Sequence, residues 1–261
     1  MKDARNRSFL DVTEQPGEPV TSEQVARLCS RYHWARGYCA GKDVLEIACG
    51  TGIGLPYIAK AARSVKAGDA SEEVYAILKR RLGERFEIRR FPAERIPHPD
   101  GSFDVVILFE AIYYLESPEA VVRECKRVLR AGGTVLVSTA NKDLFDFTPS
   151  LFSKGYYGVV ELASLFGGAG FAVEFFGDSP VARASVAQRV LRLVKMAATK
   201  LRLIPGTMRG KRLLKRLVFG RLQPMPQAID ESWIPDTNFT RMRMERPDRD
   251  HKVIFCAARL P

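Results

Sequence analysis

Val44-Leu45-Glu46-Ile47-Ala48-Cys49-Gly50-Thr51-Gly52-Ile53-Gly54 is the stretch around which the chain is organised. An apolar run carries one acid, Glu46, and three glycines then alternate with other residues. Leu55 to Ala62 follow with helical character. The apolar positions do not alternate, as expected of a parallel strand buried on both faces. Glycine at 50, 52 and 54 lets the backbone take positive φ and leaves no Cβ in the way of a ligand. The stretch predicts a buried strand, a tight turn and a helix, with a bulky cofactor lying over the turn.

Two cofactor classes use such a turn. The dinucleotide fingerprint is G-x-G-x-x-G, whereas the spacing here is G-x-G-x-G, with Leu55 where the last glycine should stand. Glu46 falls four residues before Gly50. In these features the stretch resembles the first motif of the class I S-adenosylmethionine (SAM) methyltransferases, in particular the type 11 group that includes the ubiquinone–menaquinone methyltransferases. The resemblance implies that Glu46, Ala48, Gly50, Thr51 and Gly52 surround the methionyl part of SAM.

Further motifs follow in order. Ser64 to Asp69 reads as a second strand ending in an acid, 19 positions after Gly50. A carboxylate there can accept both ribose hydroxyl hydrogens, and the resemblance gives Asp69 that role, with Ala70 beside it. The alternative is an acid favoured by the dipole of the helix over Glu72 to Leu82. Phe86 to Phe91 is a third strand, and Pro92 to Asp104 resembles the family segment D-A-x-x-L-P-F-P-D-G-S-F-D. The acid that usually meets the adenine amine is replaced by Pro92. The Ala93 amide and the Glu94 carboxylate remain to meet the ring. His98, in this proline-rich loop, is expected to be exposed.

Val105 to Phe109 is a fourth strand running into Glu110-Ala111-Ile112-Tyr113-Tyr114. Ligands of open α/β sheets sit at the carboxyl ends of strands, so Phe109 should face the cofactor, and Glu110, Tyr113 and Tyr114 the acceptor. Glu110 and Tyr113 are the candidates to orient or deprotonate an acceptor; His33 is a third. Core packing is the alternative for the tyrosines. Pro118 to Leu129 is an amphipathic helix, Arg130 to Gly133 a turn and Thr134 to Thr139 strand five, with Asn141 at the pocket rim. A helix over Tyr156 to Phe166, a sixth strand over Phe171 to Gly177 and a last strand over Val253 to Ala258 complete the series. The resemblance implies a Rossmann-like, doubly wound α/β sheet of seven strands. The last strand is antiparallel and inserted between the fifth and sixth.

Upstream, Thr21-Ser22-Glu23-Gln24 is a capping-type start for a helix reaching about Gly37. The resemblance implies that this helix lies over the cofactor, with Arg31 at the SAM carboxylate and Tyr32 in the pocket wall. A surface helix packing its aromatics on the sheet is the equal alternative. Residues 1–20 read as an irregular arm broken by Pro16-Gly17 and Pro19.

The chain has 261 residues and a formal charge of +11. Twelve of its 41 basic residues lie between 179 and 229, where no Asp or Glu occurs; outside, 29 basic residues face 30 acidic ones. Within that stretch, 186–201 and 208–222 read as amphipathic basic helices. Three uses compete there: an anionic membrane surface, a clamp on a phosphorylated or lipid-linked acceptor, with Arg209 and Lys211 as contacts, or RNA phosphates. A helical lid with a solvated face stands beside them. RNA fits least, since Phe219 is the one aromatic in the stretch and no N/D-P-P-Y/F motif follows strand four.

No apolar run approaches the ~20 residues of a spanning helix, and the first residues show no apolar signal core. A cytoplasmic protein is expected, with peripheral contact at the inner membrane face as an extension. The five cysteines, Cys29, Cys39, Cys49, Cys125 and Cys256, never stand in C-x-x-C spacing, which argues against disulfides and zinc; no metal is expected. The layout is one domain over 1–261: arm and cap helix to 40, SAM-binding core 41–178, basic insertion 179–245, final strand 246–261. The expected function is SAM-dependent methyl transfer to O, N or C of a small or lipid-linked acceptor, sugar-type molecules included. An RNA methyltransferase or a non-catalytic membrane adaptor is the alternative.

Overall fold

The computed structural model describes residues 8–150, 152–180, 222–233 and 239–261. The basic helices expected over 186–201 and 208–222, with Arg209 and Lys211, lie outside the described residues except for Leu222.

Strand β1 (Pro19–Val20) precedes helix α1 (Ser22–Cys39). The first turn of α1 is closed by a capping box, in which Thr21 and Gln24 each satisfy the other's backbone amide. β2 (Asp43–Ile47), α2 (Leu55–Ala59), β3 (Ser64–Asp69), α3 (Glu72–Leu82), β4 (Glu87–Arg90) and β5 (Phe103–Phe109) follow. Then come α4 (Pro118–Val128), β6 (Leu129–Ala140), α5 (Val159–Gly168), β7 (Ala172–Pro180), β8 (Gln223–Pro224), β9 (Thr240–Arg241) and β10 (His251–Arg259).

The main sheet runs β4-β3-β2-β5-β6-β10-β7-β9. β2 through β6 are parallel neighbours, and β10 runs antiparallel between β6 and β7. The order is the doubly wound one expected, with two differences. A two-residue edge strand, β9, makes the sheet eight-stranded rather than seven. Arg130 to Gly133 is not a free turn, because β6 already pairs with β5 at Leu129–Phe103 before a register shift.

Both faces of the sheet are covered, which explains the unbroken apolar runs. Leu45, Ile47, Val106, Leu108, Val135 and Val137 pack with α4 and α5 on one face. Val44, Val105, Ile107 and Leu136 pack with α1 and α2 on the other. A chain that leaves β2 toward β4 and returns at β5 reverses direction between β2 and β5. That reversal opens a crevice at the carboxyl ends of these strands.

The arm closes part of this crevice. β1 pairs with β8, and Gly17 and Glu18 exchange backbone hydrogen bonds with buried Met225. Upstream, Phe9–Asp11 forms one 3-10 turn capped by Ser8, which also hydrogen-bonds Glu73 of α3. Over residues 8–20 the arm is thus held at both ends rather than irregular throughout.

Candidate active site

A cavity of about 530 Å³ fills the crevice, within the range of small-molecule sites. Its floor is the turn after β2. Gly50 and Gly52 take φ of 58° and 72°, the left-handed region glycine adopts without strain. At Gly54 the demand is space, since an added Cβ would fall inside the Tyr32 ring. The turn is fastened from three sides. The Gly50 amide donates to Asp69 Oδ2 (3.0 Å), the Thr51 hydroxyl donates to the Glu14 carbonyl (2.7 Å), and Arg81 of α3 donates to the carbonyls of Thr51 and Gln227.

Asp69 ends β3 on the cavity wall, its other oxygen accepting from the Ser71 amide (2.9 Å). Burial raises its pKa, and the amide hydrogen bonds oppose that rise. Ala70, Ala93, Glu94 and Phe109 line the cavity as well; Glu94 accepts the Glu116 amide at 3.2 Å.

The α1 side carries Arg31 and Tyr32. The Tyr32 hydroxyl donates to Glu46 Oε1 at 2.5 Å. Glu46 Oε2 is buried without a partner, and so is Arg31 Nε. Burial raises the Glu46 carboxyl from 4.5 to about 7. Arg31 forms an ion pair with Glu14 of the arm. Burial, the largest single effect, would lower its pKa, but Glu14, Tyr32 and Glu110 together outweigh it and hold the guanidinium above its ordinary value. A buried acid and a buried guanidinium, each with an open valence on one cavity, suit the ammonium and carboxylate of an amino-acid moiety. These residues therefore fit the methionyl end of SAM, as Asp69 fits its ribose. Arg31 would have to exchange Glu14 for that carboxylate.

Glu110 stands where β5 ends, in the left-handed region at φ 50°. Ala48, at the end of neighbouring β2, has the same φ. A non-glycine residue there is strained. Glu110 receives the Tyr113 hydroxyl on one oxygen (3.0 Å) and the Ser138 hydroxyl on the other (3.4 Å). Burial, then the Glu110 charge, pushes the Tyr113 phenol well above its usual pKa, so it stays a neutral donor. Tyr114 lines the cavity and shares a hydrogen bond with Ser150 (2.6 Å).

Three expectations are corrected. His33 does not enter the cavity, because its ring meets the Tyr57 hydroxyl at 3.2 Å on the α2 side. Asn141 is not at the rim. It is 1% exposed and ties the start of β10 to the end of β6 through the carbonyls of Asp248 (2.9 Å) and His251 (2.8 Å). His98 is buried between the edges of Phe91 and Phe103, and burial lowers its pKa. The sequence reading also missed Phe9, Val12, Thr13 and Glu14, which line the cavity from the arm, and Arg27 on α1. The signal for Arg27 was present: it lies four residues before Arg31, on the same helical face.

Residues 45–137 match the model of a methyltransferase domain family. A protein of Mycolicibacterium smegmatis, named "Probable S-adenosylmethionine-dependent methyltransferase", is 37% identical over 171 residues, which is 60% of this chain and 66% of that one. A ubiquinone biosynthesis O-methyltransferase of an Azoarcus species is 31% identical over 149 residues, 54% of this chain and 64% of that one. The chain thus spans less than two thirds of the length of these curated relatives. A solved SAM-dependent methyltransferase of Thermotoga maritima superimposes over 92% of both chains, with TM-score 0.59 and 16% identity, a likeness of fold alone. Residues 45–137, with the glycine turn they contain, thus carry the sequence of a methyltransferase domain and are similar to proteins named as SAM-dependent methyltransferases.

Proposed function

We propose that the chain is an active SAM-dependent methyltransferase and that its acceptor is a small or lipid-linked molecule methylated on oxygen. The observation that carries this is one cavity holding the glycine turn, Asp69 and the open valence of Glu46 at one end, and the strained Glu110 at the other. When bound, SAM supplies a methyl group on a sulfonium that departs as a neutral thioether. The protein then needs to align the acceptor, exclude water and take one proton.

Glu110 is the group for the proton. Its two oxygens are held by Tyr113 and Ser138, so its direction is fixed. Tyr113 positions Glu110, and its ring is itself fixed by stacking on Tyr156 (centroids 4.5 Å apart, 17° between planes). Similarity to an O-methyltransferase of ubiquinone biosynthesis supports an oxygen nucleophile and a lipid-linked acceptor. The twelve cations between 179 and 229 support approach to an anionic membrane face from the cytoplasm. Among the described residues no helix is long and apolar enough to cross a membrane.

Calorimetry with S-adenosylhomocysteine (SAH) tests the cofactor half, and a chain that binds neither SAM nor SAH refutes it. For the acceptor half, Glu110→Gln is expected to lower kcat at least a hundredfold and Tyr113→Phe about tenfold. Full turnover in both variants would remove Glu110 from its role. Flotation with anionic and neutral liposomes tests the membrane reading, and indifference to lipid charge would overturn it.

A further inference from the structure

Helix α1 crosses the carboxyl ends of the strands. Near its start Glu23 pairs with Lys252 of β10 (2.6 Å), and two turns on Tyr32 reaches Glu46 of β2 (2.5 Å). The residues between these anchors span the ends of β6 and β5, on the far side of Glu110 from the ribose acid Asp69. Gln24, Arg27, Leu28 and Arg31 recur at helical spacing and all line the cavity.

Their polar groups are committed differently. Gln24 is used in the capping box and Arg31 in the pair with Glu14. Arg27 has no hydrogen bond or ion pair among the described residues. The cofactor end already holds the acids Glu46, Asp69 and Glu94 that a cationic ligand calls for. Among the described residues, the Arg27 guanidinium is thus the unengaged cation on the cavity wall. Elsewhere the cavity wall is aromatic, where Tyr114 meets the half-exposed Phe9 edge-on, with centroids 6.0 Å apart.

We propose that Arg27 binds an anionic group of the acceptor, a carboxylate or a phosphate, and so determines which molecules present their hydroxyl to Glu110. The acceptor is then an organic anion, its charge held on the guanidinium fork. This rests on the methyltransferase reading above and adds the substrate's charge to it.

The test is calorimetric titration of the SAH-loaded full chain with benzoate, with phenyl phosphate, and with benzyl alcohol as the neutral control. At least one anion is expected to bind tenfold or more tightly than benzyl alcohol. The better of the two identifies the anion as carboxylate or phosphate. Arg27→Gln is expected to lose at least tenfold of that affinity while SAH affinity stays within about twofold, and Arg27→Lys to keep an intermediate value. If Arg27→Gln fails to fold, the Arg27→Lys comparison decides: affinity unchanged from wild type overturns the proposal. No preference for the anions in the wild-type chain, or equal affinity in Arg27→Gln, also overturns it while leaving the methyltransferase reading intact. Failure of the wild-type chain to bind SAH overturns both.

Discussion

Glu46→Gln should stabilise the cofactor-free protein at alkaline pH and weaken cofactor binding. The Glu46 side chain is 2% exposed, and one oxygen has no partner, so its charge is poorly supported without ligand. Burial moves its pKa from 4.5 to about 7. At about 1.4 kcal/mol per pH unit this corresponds to about 3 kcal/mol as an upper bound. The sign follows from proton counting. Below pH 4.5 both folded and unfolded chains hold the proton. Between 4.5 and about 7 the unfolded chain has released it and the folded chain has not, so stability falls as pH rises. Above about 7 the loss is complete. Glutamine cannot ionise and escapes this loss. For a chain of this size 3 kcal/mol is worth about 6–12 °C. Thermal melts at pH 5 and pH 8.5 should therefore show a melting-point gap between variant and wild type that opens by several degrees at the higher pH. SAM should flatten the wild-type slope, because its ammonium supports the carboxylate. A gap of the same size at both pH values would refute the reasoning.

Two further perturbations separate local causes. Gly54→Ala places a methyl inside the Tyr32 ring, which is 4% exposed and has nowhere to move; a loss of about 1–3 kcal/mol is expected in denaturant unfolding, with weaker SAH binding as the Tyr32–Glu46 bond breaks. Glu14→Gln removes the arm's ion pair with Arg31; SAH affinity measured by calorimetry should rise several-fold, because the cofactor carboxylate no longer competes for that guanidinium.

The centre of the sheet was legible because burial on both faces leaves no polar position in Val105 to Leu108 or Val135 to Val137. The glycine turn was legible because positive φ at Gly50 and Gly52 has few other solutions. What escaped is set by contacts distant in sequence. β9 is two residues long and exists only because β7 offers an edge. Asn141 carries no periodic signal; its burial depends on carbonyls more than a hundred residues away. His98 is buried because Phe91 and Phe103 close on it, despite the prolines around it. The arm's part in the cavity was hidden behind Pro16-Gly17, which break a helix but do not stop Thr13 from reaching within 3.2 Å of a Cβ built on Gly50.

Ala48 and Glu110 end adjacent strands in a conformation that L-residues hold at a cost of about 1–2 kcal/mol. Engineering for robustness would treat the two sites alike, since glycine relieves either backbone. At 48, which lines the cavity, that gain costs no polar side chain. At 110 it would delete the carboxylate proposed to meet the acceptor. A library ranked on melting temperature or yield alone would therefore drift toward a sturdier protein with an empty workbench, and only a turnover assay run alongside would reveal the exchange.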